Sequence, residues 1–598
     1  MFIKKIIRTI ENTLFILLLS YFTLPYLNID FFNGINYMLK PFFFLLSSLS
    51  FLYTILTNPL KKNSLSTFNI VFFAFFSYVI VYSLVIPSFD INTMAHLGAI
   101  FCCYCFFKNY FKSNSEYKVY KISLAVFFVI LIVYCIHFFY LIISHPESKN
   151  NLFLPNNSIY AVLIASQLAF IIPLILFKHF KQPHKVNTIK ILGISVFVLT
   201  GVGVLIYSNG RAGWIGFAAA IFFIVWVLLK NRFKWVKVIG TFALLTIIGC
   251  ACLVFGYKKQ SSSGRILIYK ISFSIVKDNL LFGIGPGQTA IQFNKYQSSY
   301  FSKKDINTQE ALLADNTYYT FNDYFQILVE LGVMGVLFII GLFILFSKII
   351  FSFIAKEKNV SPPIIVAAIG SLIVILVAAF FTYPFEILPL QIQGILCIAI
   401  VSGYYENKNF HSTISKIPSF ILKTVGLSIS VLLTIYFLAF FSYKLKANKA
   451  FELSKIGYKG KALAIYRDIQ QSYIIDGATM FQFAKELAYR NELQEAAMVL
   501  RKAKNYYTDV NVYKLSASIA NEMGNYKTAE NDYKIAVYMI PQKIVSRYDL
   551  LNFYLQHNND TQALFWANSI DHMPIKVPTQ TADYIKAFAA SKLRELQK

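Results

Sequence analysis

The chain of 598 residues is apolar and basic at the same time: hydrophobic residues make up 57% of it, charged residues only 14%, and the formal net charge is +27. A typical soluble domain carries roughly 25% charged residues, so this composition excludes a water-soluble globular protein, and the high hydrophobicity excludes a disordered chain. The basic balance then has three interpretations, which are nucleic-acid binding, an anionic substrate, or the topology of a membrane protein.

Apolar segments recur over the first three quarters of the chain, each near the length of about 20 residues that crosses a bilayer. They predict an all-α fold, a polytopic membrane helix bundle of about 12–13 spans over residues 1–445. The predicted spans are 12–28, 38–57, 66–87, 93–107, 122–143, 158–177, 189–207, 213–229, 236–256, 327–347, 363–383, 387–403 and 420–442.

The basic residues of the short loops fall almost entirely on one side of this bundle. Because Lys and Arg accumulate in cytoplasmic loops, the N-terminus is expected to be cytoplasmic. The short loops on the other side hold only Lys40, Lys149 and Arg211. The long segment 257–326 and the tail after Tyr443 are then expected to face outward. Since topology accounts for the charge, no concentrated basic face remains and no nucleic-acid partner is predicted.

One arginine breaks this charge pattern, in the sequence Ser208-Asn209-Gly210-Arg211-Ala212-Gly213-Trp214. Arg211 is expected at the outer end of a span, between small residues that leave room for a bulky anionic group. A guanidinium presents a planar fork that suits phosphate oxygens. The alternative is an interfacial anchor that reaches lipid phosphate.

The long segment 257–326 carries a second arginine, Arg265, followed by an amphipathic stretch over 266–276. Its apolar residues predict a helix lying against the bilayer surface. A glycine-rich turn is expected at the end of that helix, with Gly283, Gly285 and Gly287. These glycines follow a helix and not a strand, so they do not predict a dinucleotide-binding loop.

Polar and aromatic residues then lead into the span at 327–347. This stretch holds two acids, Asp315 and Asp323, and the polar neighbours Asn322 and Tyr324. It belongs to segment 257–326, which is about 70 residues long, and a structureless loop of that length is usually functional or disordered. The aromatic and glycine content favours an ordered, functional segment.

The tail 446–598 has a different composition, rich in Ala, Lys, Glu and Asn, with helical periodicity. Ala462, Ala496, Ala529 and Ala563 are spaced 34, 33 and 34 residues apart. This spacing predicts a soluble α-solenoid of about four tetratricopeptide-like helix pairs. Such repeats bind peptides or protein partners on concave surfaces, and the alternative is a packing module for the membrane domain.

Together these segments resemble the O-antigen ligase and O-antigen polymerase superfamily of membrane glycosyltransferases. The resemblance covers roughly residues 190–405, and C-terminal tetratricopeptide repeats occur in some members. Its elements are Arg211, Arg265, Gly283 to Gly287, Asn322-Asp323-Tyr324 and Glu330-Leu331-Gly332-x-x-Gly335.

The resemblance implies an enzyme of the bacterial inner membrane, with segment 257–326 and the tail in the periplasm. It would transfer a glycan from an undecaprenyl-diphosphate carrier to lipid A–core, a growing polysaccharide or a protein hydroxyl, with membrane lipids around it. No cofactor and no metal are implied. Arg211 and Arg265 would hold the diphosphate, where guanidinium groups stabilise charge on the leaving group. Asn322, Tyr324, Gly285, Gly287 and Asp315 are the predicted substrate-binding residues.

The chain departs from the ligase pattern at Phe321, where ligases commonly have a histidine proposed to activate the acceptor hydroxyl. Asp323 is the predicted catalytic acid–base group, and Asp315 is a second candidate by residue type. The departure leaves ligase, polymerase and protein O-oligosaccharyltransferase open.

Two other classes compete with a transferase. A transporter or flippase for a lipid-linked saccharide would place arginines along a path through the membrane, whereas Arg211 and Arg265 are expected at its outer mouth. A scaffold that recruits a protein partner through the repeats would need far fewer spans for its anchor.

Overall fold

A computed structural model describes residues 2–20, 36–57, 66–85, 91–144, 156–181, 188–229, 259–356, 362–408, 419–474 and 476–597. All regular secondary structure within these ranges is helical. The helices up to residue 455 are α1 (Phe2–Ser20), α2 (Asn36–Thr57), α3 (Thr67–Val85), α4 (Ile91–Ser113), α5 (Glu116–Ser144), α6 (Asn157–Lys181), α7 (Thr188–Tyr207), α8 (Arg211–Leu229), α9 (Lys259–Asp278), α10 (Thr289–Phe301), α11 (Asp323–Lys356), α12 (Pro363–Ala378), α13 (Leu388–Lys408) and α14 (Ser419–Lys455).

Seven of the described helices are long and apolar enough to cross a membrane, namely α2, α3, α5, α6, α11, α13 and α14. Three shorter apolar stretches, in α7, α8 and α12, coincide with further predicted spans. The predicted span 93–107 lies within α4, the span 12–28 is described only to residue 20, and 236–256 lies outside the described residues. The chain is therefore a multi-pass membrane protein, and the count of thirteen spans stays a prediction.

The bundle is organised around two groups of tightly packed helices. In one group α12 packs against both α6 and α8, and in the other α2 packs against α4 and α14 while α13 packs against α4. Residues from both groups belong to one continuous apolar core. The N-terminal end of α8 and the C-terminal end of α12 thereby become fixed parts of the same scaffold.

The tail continues as α15 (Lys459–Gln470), α16 (Gly477–Tyr489), α17 (Leu493–Ala503), α18 (Val510–Glu522), α19 (Tyr526–Met539), α20 (Ile544–Gln556), α21 (Asp560–Asp571) and α22 (Gln580–Leu596). Consecutive helices pack on one another. The four regularly spaced alanines are fully buried, and each is the fourth residue of its helix, in α15, α17, α19 and α21. The sequence period is thus a period of helix pairs, and their assignment as tetratricopeptide repeats stays a prediction.

Helix α14 joins the membrane bundle to the tail without interruption. It runs from Ser419 to Lys455, through the predicted domain boundary at residue 445, and it packs on both α2 and α15. The division into domains 1–445 and 446–598 stays a prediction.

The segment 257–326 packs against the tail. Its helix α10 lies on α19, where Gln297 donates a hydrogen bond to the carbonyl of Met539. Gln542 in turn donates to the carbonyl of Ala314 at 2.7 Å. Part of the tail surface is therefore covered by the chain itself.

Candidate functional site

A break in α11 and the glycine turn before α10 form one local structure. Gly332 lies inside α11 with φ 62° and ψ −164°, a conformation open mainly to glycine. The chain at Leu280–Gly285 runs beside the break, with Ile284 donating to the Val329 carbonyl at 3.0 Å and Val333 donating to the Leu280 carbonyl at 3.0 Å. The expected turn after α9 is present, and its partner is the broken helix.

The turn holds the side chain of Glu330. Gly285 donates its N–H to the backbone carbonyl of Glu330 at 2.8 Å, and Gly287 donates to the Glu330 carboxylate at 2.9 Å. Thr289 donates its hydroxyl to the same carboxylate at 2.7 Å. The amides of Gly285 and Gly287 thus have a partner within the protein, and their predicted role in substrate binding stays a prediction.

Arg211 is the first residue of α8, directly after a left-handed turn at Asn209 (φ 53°). The flanking glycines allow close helix packing, because a Cβ on Gly210 or Gly213 would lie 2.3 or 2.6 Å from the Cβ of Ala161 on α6. Space for a ligand was the sequence-based explanation of these small residues. The structure instead shows that they let α8 approach α6, which fixes the position of Arg211.

Arg265 lies near Arg211 and against an aromatic ring. Helix α9 begins at Lys259, so Arg265 stands within the helix and not before it. Its guanidinium carbon is 5.7 Å from the ring centroid of Phe321. Burial lowers the pKa of Arg265, and the positive charge of Arg211 lowers it further. The two predicted arginines are therefore brought together, and Phe321 lies beside them.

Tyr269 and Asn322 add hydrogen-bonding groups to this cluster. Tyr269, one helical turn after Arg265, hydrogen-bonds Asn322, and burial raises its pKa while Arg265 opposes that shift. Asn322 also accepts from the backbone N–H of Phe325 at 3.1 Å, which caps the start of α11. Asn322 was predicted for the site, whereas Tyr269 was missed, although its spacing of four residues from Arg265 on a helix was a usable signal.

Three aromatic rings form a wall beside the arginines. Tyr383 stacks on Tyr319 with centroids 4.3 Å apart and meets Phe321 edge-on at 5.3 Å. Asn156, before α6, donates to the Tyr383 hydroxyl at 2.6 Å. The wall therefore ties the start of α6, the end of segment 257–326 and the connection after α12 together.

Asp323 and Tyr324 anchor the start of α11. Asp323 is only 2% exposed, and its Oδ2 accepts the N–H of Phe385 at 2.8 Å. The Tyr324 hydroxyl donates to the Leu376 carbonyl at 2.9 Å, and its ring packs on Phe380. Both side chains face the α12–α13 connection, and their predicted catalytic and binding roles remain predictions.

Asp315 is exposed, and its described contacts are with Asn316 and with Gln297 of α10. Its Oδ1 accepts the N–H of Asn316, and its carbonyl accepts from Gln297 of α10. Asn316 in turn donates to Asp509 at the start of α18. Asp315 is therefore placed at the contact between the segment and the tail.

A cavity of about 490 Å³ lies between the glycine turn and the α12–α13 connection, which line it with Gly287 and Glu386. This volume is in the range of ~300–1,000 Å³ that ligand pockets occupy. Its polar lining was largely missed from the sequence and consists of Lys40, Thr93, His96, Glu330, Glu386 and Gln391.

Glu386 ends a short 3-10 helix, Pro384–Glu386, between α12 and α13. Burial and the neighbouring Glu330 raise its pKa to about 7, and Lys40 opposes the shift. Gln326 donates to both carboxylates, at 2.8 Å to Glu386 and 3.3 Å to Glu330. The available sequence signal was an acid in a very short outward connection between two predicted spans.

The acids of the site do not form a metal-binding cluster with other ligand residues. Across the ranges that the structure describes, no group of three His, Cys, Asp or Glu side chains is placed to hold a metal ion.

Residues 194–340 match the family model described as O-antigen ligase. The matched region contains Arg211, Arg265, the glycine turn and Asn322, whereas Glu386 lies outside it. The match supports the O-antigen ligase superfamily for this chain, an enzyme activity in glycosyl transfer, and lipid-linked glycans and polysaccharides as partners in general. The comparison with curated proteins gives no match.

Proposed function

We propose that this protein transfers a glycan from an undecaprenyl-diphosphate carrier to an acceptor hydroxyl at the outer face of the bacterial inner membrane. The observation that carries this proposal is the pair Arg211 and Arg265. Their charges lie close enough for one to lower the pKa of the other. No carboxylate in the described ranges forms an ion pair with Arg265.

A diphosphate is the ligand that this pair fits best. Two guanidinium groups held near each other repel, and an anion with oxygens on two phosphorus atoms relieves that repulsion at both. Each guanidinium can donate two parallel hydrogen bonds to phosphate oxygens. Arg211 is held by the helix contact between α8 and α6, and Arg265 by the packing of α9, so both are positioned before substrate binds.

In the proposed reaction, negative charge develops on the leaving diphosphate. The acceptor oxygen forms a bond to the anomeric carbon, and the bond from that carbon to the phosphate oxygen breaks with its electron pair on the diphosphate. Arginines placed at that diphosphate stabilise the transition state more than the ground state. By analogy with one lost oxyanion donor, losing one guanidinium should cost about 3–4 kcal/mol, or roughly a hundredfold to a thousandfold in rate.

The test uses Arg211→Ala and Arg265→Ala with purified protein in proteoliposomes and purified lipid-linked glycan donor. We expect glycan transfer to fall at least about a hundredfold in each variant while the protein stays in the membrane. Lys277→Ala is the matched control, because Lys277 is an exposed cation on the same helix as Arg265. Transfer at the wild-type rate in either arginine variant would contradict the assignment.

The acceptor is proposed to be lipid A–core, as in O-antigen ligases. Deleting the gene in its host tests this choice. Loss of polysaccharide attachment to lipid A–core is the expected result. Loss of ladder length alone would identify a polymerase, and loss of glycoprotein staining would identify a protein O-oligosaccharyltransferase.

A further inference from the structure

The cavity between the glycine turn and the α12–α13 connection is lined by a carboxylate, Glu386, that is accessible from the open space. Glu386 lies among Glu330, Lys40 and Gln391, yet its side chain is exposed because it faces the open space of the cavity. Within the described ranges, Gln326 is its one hydrogen-bond donor, through Oε1. The second oxygen, Oε2, therefore remains available to a ligand in the cavity.

Glu386 is connected rigidly to the arginine cluster. It follows Tyr383 by three residues, and Tyr383 contacts Phe321, whose ring lies 5.7 Å from the guanidinium carbon of Arg265. Asp323 holds the same connection by accepting the N–H of Phe385 at 2.8 Å. The connection after α12 thus carries both Glu386, which lines the cavity, and Tyr383, which contacts the aromatic ring beside Arg265.

The remaining lining suits a hydroxylated ligand. Gln391 is fixed by hydrogen bonds to His96 at 2.8 Å and to the carbonyl of Phe385. Lys40 and Thr93 also line the cavity with polar side chains, and its apolar lining comes from Leu39, Leu97, Pro286 and Leu388. Mixed donors, acceptors and apolar surface match the hydroxyl groups and the apolar ring faces of a saccharide.

We infer that this cavity binds the hydroxyl-bearing end of the acceptor saccharide and that Glu386 is the general base that takes the proton from the attacking hydroxyl. The inference rests on the proposed function. The acceptor O–H bond breaks as its proton passes to the Glu386 carboxylate, the oxygen bonds to the anomeric carbon, and the carbon–oxygen bond to the diphosphate breaks. The protonated Glu386 later returns the proton to solvent, so the enzyme is unchanged.

Geometry favours Glu386 over Asp323 for this role. Asp323 is 2% exposed and is engaged by the backbone of Phe385, so an acceptor hydroxyl does not reach it. Asp323 instead acts as a positioning residue for the connection that carries Glu386. A base matched to neutral pH is also the most effective one, and the raised pKa of Glu386, about 7, meets that condition.

The test compares Glu386→Gln with wild type in two assays. Glutamine keeps Oε1 as the acceptor for Gln326, so the fold is expected to survive, and a thermal midpoint no more than about 2 °C below that of wild type verifies it. Transfer from the lipid-linked donor should fall at least about a hundredfold, as for a lost general base. Binding of undecaprenyl diphosphate to the detergent-solubilised protein should change less than about twofold, because the arginines are intact.

Two further variants complete the experiment. Glu386→Asp keeps a carboxylate one methylene shorter and should retain more transfer activity than Glu386→Gln. Glu310→Gln is the control, since Glu310 is an acid of segment 257–326 that pairs with Lys270 and Lys304 at the surface. It should transfer at the wild-type rate.

The dependence on pH separates a base from a structural group. Wild-type transfer should rise as the pH passes through about 7, where Glu386 loses its proton, and that step should be missing in Glu386→Gln. The charged and titratable groups that surround Glu386 are Glu330, Asp323, Lys40, His96 and Tyr319. Control variants at Glu310 keep all of them, so the step should persist there.

The outcomes separate this inference from the proposed function. If Glu386→Gln transfers glycan at the wild-type rate with an unchanged pH profile, the inference fails while the proposed function stands. If wild type neither binds undecaprenyl diphosphate nor transfers glycan from the donor, the proposed function fails and this inference falls with it. Loss of transfer with retained diphosphate binding supports both.

Discussion

Arg547 donates a hydrogen bond to the backbone carbonyl of Ile306 at 2.9 Å, which joins the tail to segment 257–326. The guanidinium is 1% exposed and also donates to Asn307 at 2.6 Å, to Ser569 and to the carbonyl of Pro541. Burial lowers the pKa of Arg547 to about 10. Because this buried guanidinium has hydrogen-bond acceptors in both the tail and segment 257–326, it fixes the segment against the tail.

Arg547→Met should destabilise the protein by ~2–5 kcal/mol, because the carbonyls and Asn307 lose their buried donor. Thermal unfolding in detergent measures this, and trypsin should cut faster at the exposed Lys303 and Lys304. Arg594→Met is the matched control, since Arg594 is exposed and donates to the Ala590 carbonyl of its own helix. Equal unfolding midpoints for the two variants would show that Arg547 does not hold the segment.

Gly332→Ala should be severely destabilising. Its backbone lies at φ 62°, and a Cβ there would be 2.4 Å from the backbone of Leu281. Conformational strain and the clash together should exceed about 3 kcal/mol. Gly341→Ala on the same helix has nothing within 4 Å of its new Cβ and should leave the unfolding midpoint unchanged or slightly higher. A normal midpoint for Gly332→Ala would mean that α11 runs unbroken through this position.

Phe321→Leu should weaken binding of the lipid-linked donor. Leucine fills similar space but has no π face for Arg265, whose guanidinium carbon lies 5.7 Å from the ring centroid. A lost cation–π contact of about 0.5–1 kcal/mol corresponds to a twofold to fivefold higher KM for the donor. Steady-state kinetics at varied donor concentration measures this, and an unchanged KM would exclude the ring as a support for Arg265.

Stability should depend on pH through Glu386. Burial and Glu330 raise its pKa from 4.5 to about 7, so the folded protein holds this proton more tightly than the unfolded chain. The resulting stabilisation is complete below pH 4.5 and is lost as the pH rises through about 7. Between about pH 5 and pH 8 the unfolding midpoint of wild type should therefore fall more than that of Glu386→Gln. Parallel curves would show that Glu386 titrates normally.

The site was partly predictable because some of its chemistry is local in sequence. Arg211 and Arg265 are recognisable as arginines in apolar or amphipathic surroundings. The three closely spaced glycines indicate positive φ angles, which Gly283, Gly285 and Gly287 adopt. The sequence around Glu386 and around Lys40 contains no comparable motif. They meet because the α12–α13 connection and the start of α2 border one cavity, a relation between residues more than 300 positions apart.

By itself the sequence determined the class of the protein, since apolar segments of bilayer length have no soluble fold, and it determined the helical period of the tail, since buried small residues must recur with the helix pairs. Only the tertiary structure decided what the motifs do. Gly210 and Gly213 serve helix contact and Gly287 binds Glu330, while the tail holds segment 257–326 through Arg547. These roles depend on distances between chain segments far apart in sequence, which no local pattern contains.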